Sequence, residues 1–75
     1  MIKYIAVIQE DNDFDMTRFV NKGVVLEWKD YEVDIMTDFI RKETMDNPHI
    51  VIKVLDVTTA EWVTYKNGRI AEWYK

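Results

Sequence analysis

The dipeptide Asn67-Gly68 constrains the fold of this chain more than any other sequence feature. It lies between two stretches rich in aromatic and β-branched residues, Ala60 to Lys66 and Arg69 to Lys75. Both central residues of a type I′ turn need a positive φ, and Asn-Gly is the pair that best tolerates it. The sequence therefore predicts a β-hairpin with a two-residue loop. In the predicted register Lys66 faces Arg69, Tyr65 faces Ile70, Thr64 faces Ala71, Val63 faces Glu72 and Trp62 faces Trp73.

Three further segments have the composition of β-strands. Ile2 to Ile8 and Ile50 to Val57 are apolar on both faces, which is typical of central strands. Val24 to Lys29 alternates between apolar and charged residues, which is typical of a strand with one buried face. After the first strand, Asp13 or Asp15 is predicted to cap a short helical turn. This turn covers Met16 to Val20 and ends at Asn21-Lys22-Gly23.

One substantial helix is predicted from Tyr31 to about Asp46, with Asp30 as its N-cap and Asn47-Pro48 as its stop. At 100° per residue, its apolar side chains form a stripe about 200° wide. We expect this stripe to face the sheet and the polar side to face solvent. The predicted buried stripe contains Tyr31, Val33, Ile35, Met36, Phe39 and Ile40, and the predicted exposed side contains Asp34, Thr37, Asp38, Arg41 and Thr44.

The predicted element order is β-β-α-β-β-β within a single domain, residues 1–75. This order indicates an α+β fold with a mostly antiparallel sheet and one helix packed on one face. A small half-open β-barrel with a helix is the structural alternative. The sequence leaves the strand order open, because five strands permit several antiparallel arrangements.

The composition excludes several classes of protein. The 75 residues include no Cys, no Ser and one His, which excludes a disulfide scaffold, a Cys-ligated metal centre and a Ser or Cys nucleophile. We therefore predict a protein that is not an enzyme and carries no cofactor. The longest apolar run, Ile5 to Ile8, is too short to cross a membrane, and we expect a cytoplasmic location.

The charge is acidic and uneven. Fourteen acidic and ten basic residues give a net charge of −4, and residues 1–38 hold nine of the acids. Nucleic acid is therefore an unfavourable partner, and a basic protein surface is a better one. Asp11, Asp13 and Asp15 alternate like the first ligands of a calcium loop. Met16 and Lys22 then occupy positions where such a loop needs Gly and Glu, so we assign no metal site and predict an electronegative contact surface.

The C-terminal hairpin is not predicted to be amphipathic, since aromatic residues lie on both of its faces. A single helix covers only one face of a sheet, so the sheet curls or an aromatic face is exposed, and exposed apolar surface usually marks an interaction site. Asp34 and Asp38 add carboxylates on the exposed helix face. The predicted partner-binding residues are Trp62, Tyr65, Ile70, Trp73, Tyr74, Asp11, Asp13, Asp15, Asp34 and Asp38.

The functional hypothesis is a small acidic module that docks on another protein. This composition is typical of accessory or inhibitor proteins of phages and mobile elements. One alternative is a structural homo-oligomer, such as a homodimer, assembled through the C-terminal hairpin. A second alternative is a divalent-cation-binding protein that uses the acidic loop.

Overall fold

The structure is a computed structural model that describes residues 1–11 and 19–71, with side chains described for residues 1–9 and 25–71. Within these ranges, five antiparallel strands form one sheet and a single helix packs on it. The predicted α+β class is thus confirmed, and the sheet is open rather than closed into a barrel. The elements are β1 (Ile2–Asp11), β2 (Phe19–Lys29), a 3-10 turn (Asp30–Glu32), α1 (Val33–Asp46), β3 (Ile50–Asp56), β4 (Glu61–Lys66) and β5 (Arg69–Ile70).

The strand order across the sheet is β2-β1-β3-β4-β5. Strand β1 lies between β2 and β3, and β3 lies between β1 and β4. Both are central strands, which explains why the sequences of β1 and β3 are apolar on both faces. Helix α1 carries the chain from β2 across β1 to β3. The helix therefore covers one face of the three central strands.

Strand β2 begins at Phe19, five residues earlier than predicted. The predicted helical turn from Met16 to Val20 is wrong at Phe19 and Val20, whose backbones pair with β1. The remainder of that prediction, with Asp13 and Asp15, lies outside the described residues. Between Val24 and Asn21 the register with β1 shifts, leaving Lys22-Gly23 as a bulge. A glycine inside a strand often marks a bulge, so the predicted helix stop is a strand irregularity.

The main helix starts with one 3-10 turn before it becomes α-helical at Val33. Asp30 is the first residue of that turn and not the N-cap, which is Lys29. The Glu32 carboxylate accepts a hydrogen bond from the Lys29 N–H at 2.8 Å, and the Asp30 Oδ1 accepts one from the Tyr31 N–H at 2.8 Å. These bonds satisfy N–H groups that a helix start otherwise leaves without partners.

The face of α1 that contacts the sheet differs from the predicted stripe. Met36, Ile40 and Thr44 are buried, whereas Tyr31 is 75% exposed and Ile35 is 65% exposed. The prediction was wrong for Tyr31 and Ile35, which face solvent, for Val33, which is also exposed, and for Thr44, which faces the core. The buried residues are spaced by four, so a narrow line along the helix contacts the sheet and not the whole 200° stripe.

The core lies between α1 and the face of the sheet that it covers. Its buried members are Ala6, Met36, Ile40, Ile52, Val54 and Tyr65, and Tyr4, Ile8, Leu26, Trp28 and Val63 pack against them. The ring of Phe39 extends this core to β2, with its centroid 6.0 Å from that of Trp28.

The predicted hairpin is present at its tip. Asn67 and Gly68 have φ values of 54° and 79°, as a type I′ turn requires. Strands β4 and β5 pair Tyr65 with Ile70 and Lys66 with Arg69, and the Ala71 N–H donates to the Thr64 carbonyl at 2.8 Å. The predicted pairs Val63–Glu72 and Trp62–Trp73 lie outside the described residues.

Candidate functional site

The first turns of the helical segment present an acidic surface that also carries large apolar side chains. Residues 30–38 contain four acidic residues and no basic one. Three of these acids are exposed, and so are three apolar side chains between them, of which Tyr31 and Ile35 are much more exposed than Val33. We call this surface the helix patch, and it consists of Asp30, Tyr31, Asp34, Ile35 and Asp38.

The packing of α1 on the sheet determines which residues belong to the helix patch. Around the helix axis, Ile35 and Asp38 lie about 140° and 160° from the buried Ile40, so they point away from the sheet. Tyr31 precedes Ile35 by four residues and lies in the 3-10 turn that leads into α1. The Lys29 ammonium lies 5.9 Å from the centre of the Tyr31 ring, a cation–π distance that favours an outward position of this ring.

The carboxylates of the helix patch are available for contact. Asp34 and Asp38 are both exposed and four residues apart, and two like charges at this spacing repel each other. Within the described side chains, no ion pair joins either carboxylate to a basic group, and Lys42 is not paired with Asp38. A positively charged surface that approaches the patch would therefore relieve repulsion instead of breaking existing pairs.

The face of the sheet opposite the helix is a second candidate surface, which we call the open face. Trp62 pairs with Leu55, and Leu55 pairs with Ile5, so these three side chains form a row across the strands. Trp62 is 56% exposed and Val25 is 55% exposed. Val51 and Thr64 lie on the same face and are buried. Among the described side chains of the open face, Trp62 of β4 and Val25 of β2 are therefore the large apolar residues that are most exposed.

The predicted partner-binding residues do not form one site. Trp62 lies on the open face, whereas Asp34 and Asp38 lie on the helix patch, on the other side of the sheet. Tyr65 belongs to the core beneath α1, and Ile70 next to it in β5 is about half exposed. The remaining predicted residues are Asp11, whose backbone lies in β1, and Asp13, Asp15, Trp73 and Tyr74, which lie outside the described residues.

Sequence reasoning assigned Tyr31 and Ile35 to the core and so missed them as contact residues. The width of the apolar stripe was the available signal. A helix that packs on one sheet buries a stripe of roughly 100° or a little more, so a 200° stripe must leave some of its apolar residues in solvent. Which edge of the stripe is exposed depends on how the helix is rotated against the sheet.

The described part of the chain offers no metal site. It contains no group of three or more His, Cys, Asp or Glu side chains placed to hold an ion. The alternative of a divalent-cation site at Asp11, Asp13 and Asp15 stays a prediction. A melting temperature unchanged by millimolar calcium would contradict it, because a ligand that binds only the folded state raises stability.

None of the helices in the described ranges is long and apolar enough to cross a membrane. Comparisons of the chain with protein families, curated proteins and solved structures find no match. The case for a function therefore depends on the surfaces described above.

Proposed function

We propose that this chain is a non-enzymatic protein-binding module that docks through its helix patch on a basic surface of another protein. The observation that supports this proposal is the exposure of Tyr31 and Ile35 in the same short segment as the exposed carboxylates Asp34 and Asp38. Such a surface combines apolar area for affinity with negative charge for selection of the partner. A partner that is blocked in this way would be inhibited, as expected for an accessory protein of a phage or mobile element.

The two kinds of side chain would contribute in different ways. Full burial of an exposed large apolar side chain contributes about 1.5–3 kcal/mol, and tyrosine is among the residues that dominate interface energies. Exposed carboxylates contribute less to affinity, but they accelerate association with a basic partner at low salt. We therefore expect the apolar pair to slow dissociation and the acidic pair to set the salt dependence.

Capture from a host lysate, followed by binding kinetics with the recovered partner, tests this function. In the apolar variant Tyr31→Ser/Ile35→Ser we expect affinity at least about tenfold weaker, mainly through faster dissociation. In the acidic variant Asp34→Asn/Asp38→Asn we expect slower association and a weaker dependence on salt. Val57→Ser removes an exposed apolar side chain outside the patch and serves as the matched control.

Equal affinity and salt dependence in the wild type and both patch variants would contradict docking through the helix patch. The stability of the variants is not expected to confuse this result, because substitutions of exposed side chains usually change the free energy of unfolding by less than about 0.5 kcal/mol.

A second candidate function is self-association through the open face. The exposure of Trp62 and Val25 favours it, since both lie on the face that α1 does not cover. We expect a homodimer in sedimentation equilibrium at high micromolar concentration and a monomer after Trp62→Glu. A wild-type chain that is monomeric at all concentrations would contradict this candidate.

A further inference from the structure

A cavity of about 210 Å³ lies beneath the N-terminal half of α1, where the helix faces β1, β3 and β4. Its floor is formed by buried side chains, among them Met36, Val54 and Tyr65. Its more exposed members, including Thr59 and Glu61, form the rim. An apolar cavity of roughly 150 Å³ is enough to bind benzene, so this cavity can hold an aromatic ring with a short polar arm.

The rim carries two carboxylates on adjacent strands. Asp56 of β3 and Glu61 of β4 are direct partners in the sheet register, and both line the cavity. Like charges directly opposite each other destabilise a sheet. A cation at the rim would therefore be favoured over an anion.

The two carboxylates differ in their hydrogen-bond and ion-pair partners. Asp56 Oδ1 accepts hydrogen bonds from the N–H groups of Thr58 and Thr59, and its Oδ2 lies 3.8 Å from the Lys3 ammonium. Glu61 is exposed, and within the described side chains it forms no hydrogen bond or ion pair. Glu61 thus retains its full capacity to accept hydrogen bonds from a ligand.

The floor holds a polar group with unused capacity. Tyr65 is about nine-tenths buried, and none of the described residues donates to or accepts from its hydroxyl. The hydroxyl itself is not fully buried, so water can reach it, and a polar atom of a ligand in the cavity can take the place of that water. The cavity therefore offers a carboxylate at its rim, apolar walls and a hydroxyl at its floor.

We propose that this cavity binds an organic cation whose ammonium or guanidinium group pairs with Glu61. The apolar body of the ligand would pack on Met36 and Val54, and a polar atom at its far end would bond to Tyr65. Two sources supply this chemistry, a free small amine and a Lys or Arg side chain of another protein. The site is distinct from the helix patch, so the proposed docking function and this site can fail independently.

The charge requirement is tested by NMR titration of the full chain with 2-phenylethylamine, 2-phenylethanol and phenylacetate. For the amine we expect saturable shifts of amides that line the cavity, such as Thr37 and Val63, with a Kd on the order of 1 mM. The alcohol and the acid should bind at least about tenfold more weakly, because neither places a cation at the rim. Equal binding of the amine and the alcohol would overturn the proposal, and so would the absence of saturable shifts.

The two polar anchors are tested by substitution. Glu61→Gln should weaken the binding of 2-phenylethylamine at least about fivefold, since the carboxylate is the ion partner of the amine. Glu27→Gln, at an exposed glutamate on the open face, is the matched control and should leave binding unchanged. Tyramine adds a hydroxyl to the far end of the same amine and should bind several-fold more tightly. Tyr65→Phe should make tyramine bind no more tightly than 2-phenylethylamine. If tyramine still binds more tightly to this variant by the same factor, the proposed role of Tyr65 is wrong.

A last arm distinguishes the two sources of the cation. Arginine blocked at both termini imitates a side chain on a partner protein. If it binds as tightly as 2-phenylethylamine, a protein side chain is the occupant. If it binds at least about tenfold more weakly, a free amine is the occupant. Both outcomes support an organic-cation site and differ only in its source.

Discussion

The two ends of α1 are held to the sheet in different ways. At the C-terminal end, the buried Thr44 Oγ1 donates to the Ile40 carbonyl at 2.9 Å and accepts the Gly68 N–H at 2.9 Å, which joins the helix to the hairpin turn. At the N-terminal end, a cavity separates the helix from the strands, and Tyr31 and Ile35 face solvent. One end is thus an anchor of the fold, and the other carries both proposed binding sites.

This difference follows from how the backbone N–H groups at each end find their hydrogen-bond acceptors. A hairpin tip has backbone N–H groups that lack strand partners, and a buried polar group without a partner costs about 1–3 kcal/mol. The Thr44 hydroxyl removes that cost for Gly68 and becomes buried as a result. The N-terminal end satisfies its own N–H groups with Asp30 and Glu32, so it can remain open. We expect substitutions at the C-terminal end to affect stability most.

The largest effect is expected from Gly68→Ala. Gly68 has φ 79°, where an alanine costs about 1–2 kcal/mol, and its new Cβ would lie 2.8 Å from the Met45 Sδ and overlap Met45 Cγ. We expect the free energy of unfolding in urea to fall by about 2–3 kcal/mol. Asn67→Gly keeps a residue suited to positive φ and should change the free energy of unfolding by less than about 0.5 kcal/mol. Equal stability of Gly68→Ala and the wild type would contradict the claim that the contact between the hairpin turn and the C-terminal end of α1 stabilises the fold.

A smaller effect is expected from Thr44→Val, which removes the partner of the Gly68 N–H and keeps the shape of the side chain. The expected loss is about 1–2 kcal/mol in the same urea experiment. Thr37→Val is the matched control, because Thr37 Oγ1 also bonds to the carbonyl four residues earlier, at 2.8 Å, without reaching another element. If both variants lose the same stability, the two ends of α1 do not differ in this respect.

The smallest effect is expected at the exposed ion pair beside the cavity. The Tyr4 hydroxyl and the Asp56 carboxylate, in that order, raise the pKa of Lys3 above its ordinary value. A raised pKa in the folded state means that this pair adds stability below about pH 10.4 and loses it as the pH rises through the pKa of Lys3 in the folded chain. Asp56→Asn should lower the pKa of Lys3 in an NMR titration of the ammonium, with only a small change in stability. Glu61→Gln is the control and should leave that titration unchanged.

The elements that depend on local chemistry could be predicted from the sequence. The Asn67-Gly68 turn is fixed by its need for positive φ, and the end of α1 at Asp46 is fixed by the following Asn47-Pro48. Alternation and apolar runs located all of the described strands. The start of β2 could not be predicted, because Phe19 and Val20 become strand only by pairing with β1, and the Lys22-Gly23 bulge resembles a helix stop.

The candidate contact residues were only partly predictable. Asp34 and Asp38 lie on the exposed helix face as expected, whereas Tyr31 and Ile35 were assigned to the core. Their exposure depends on the rotation of α1, which places Met36, Ile40 and Thr44 against the sheet. A hydropathy pattern cannot place a threonine in this line, because the burial of Thr44 depends on an N–H group of a distant hairpin.

The sequence by itself determined the fold class, the type of the main elements and the geometry of the hairpin tip, because these depend on residues near one another in the chain. Only the tertiary structure decided the strand order, the buried line of α1, the cavity beneath it and the pairing of Asp56 with Glu61. These depend on contacts between elements remote in sequence, whose free energies are set by the packing of the whole domain.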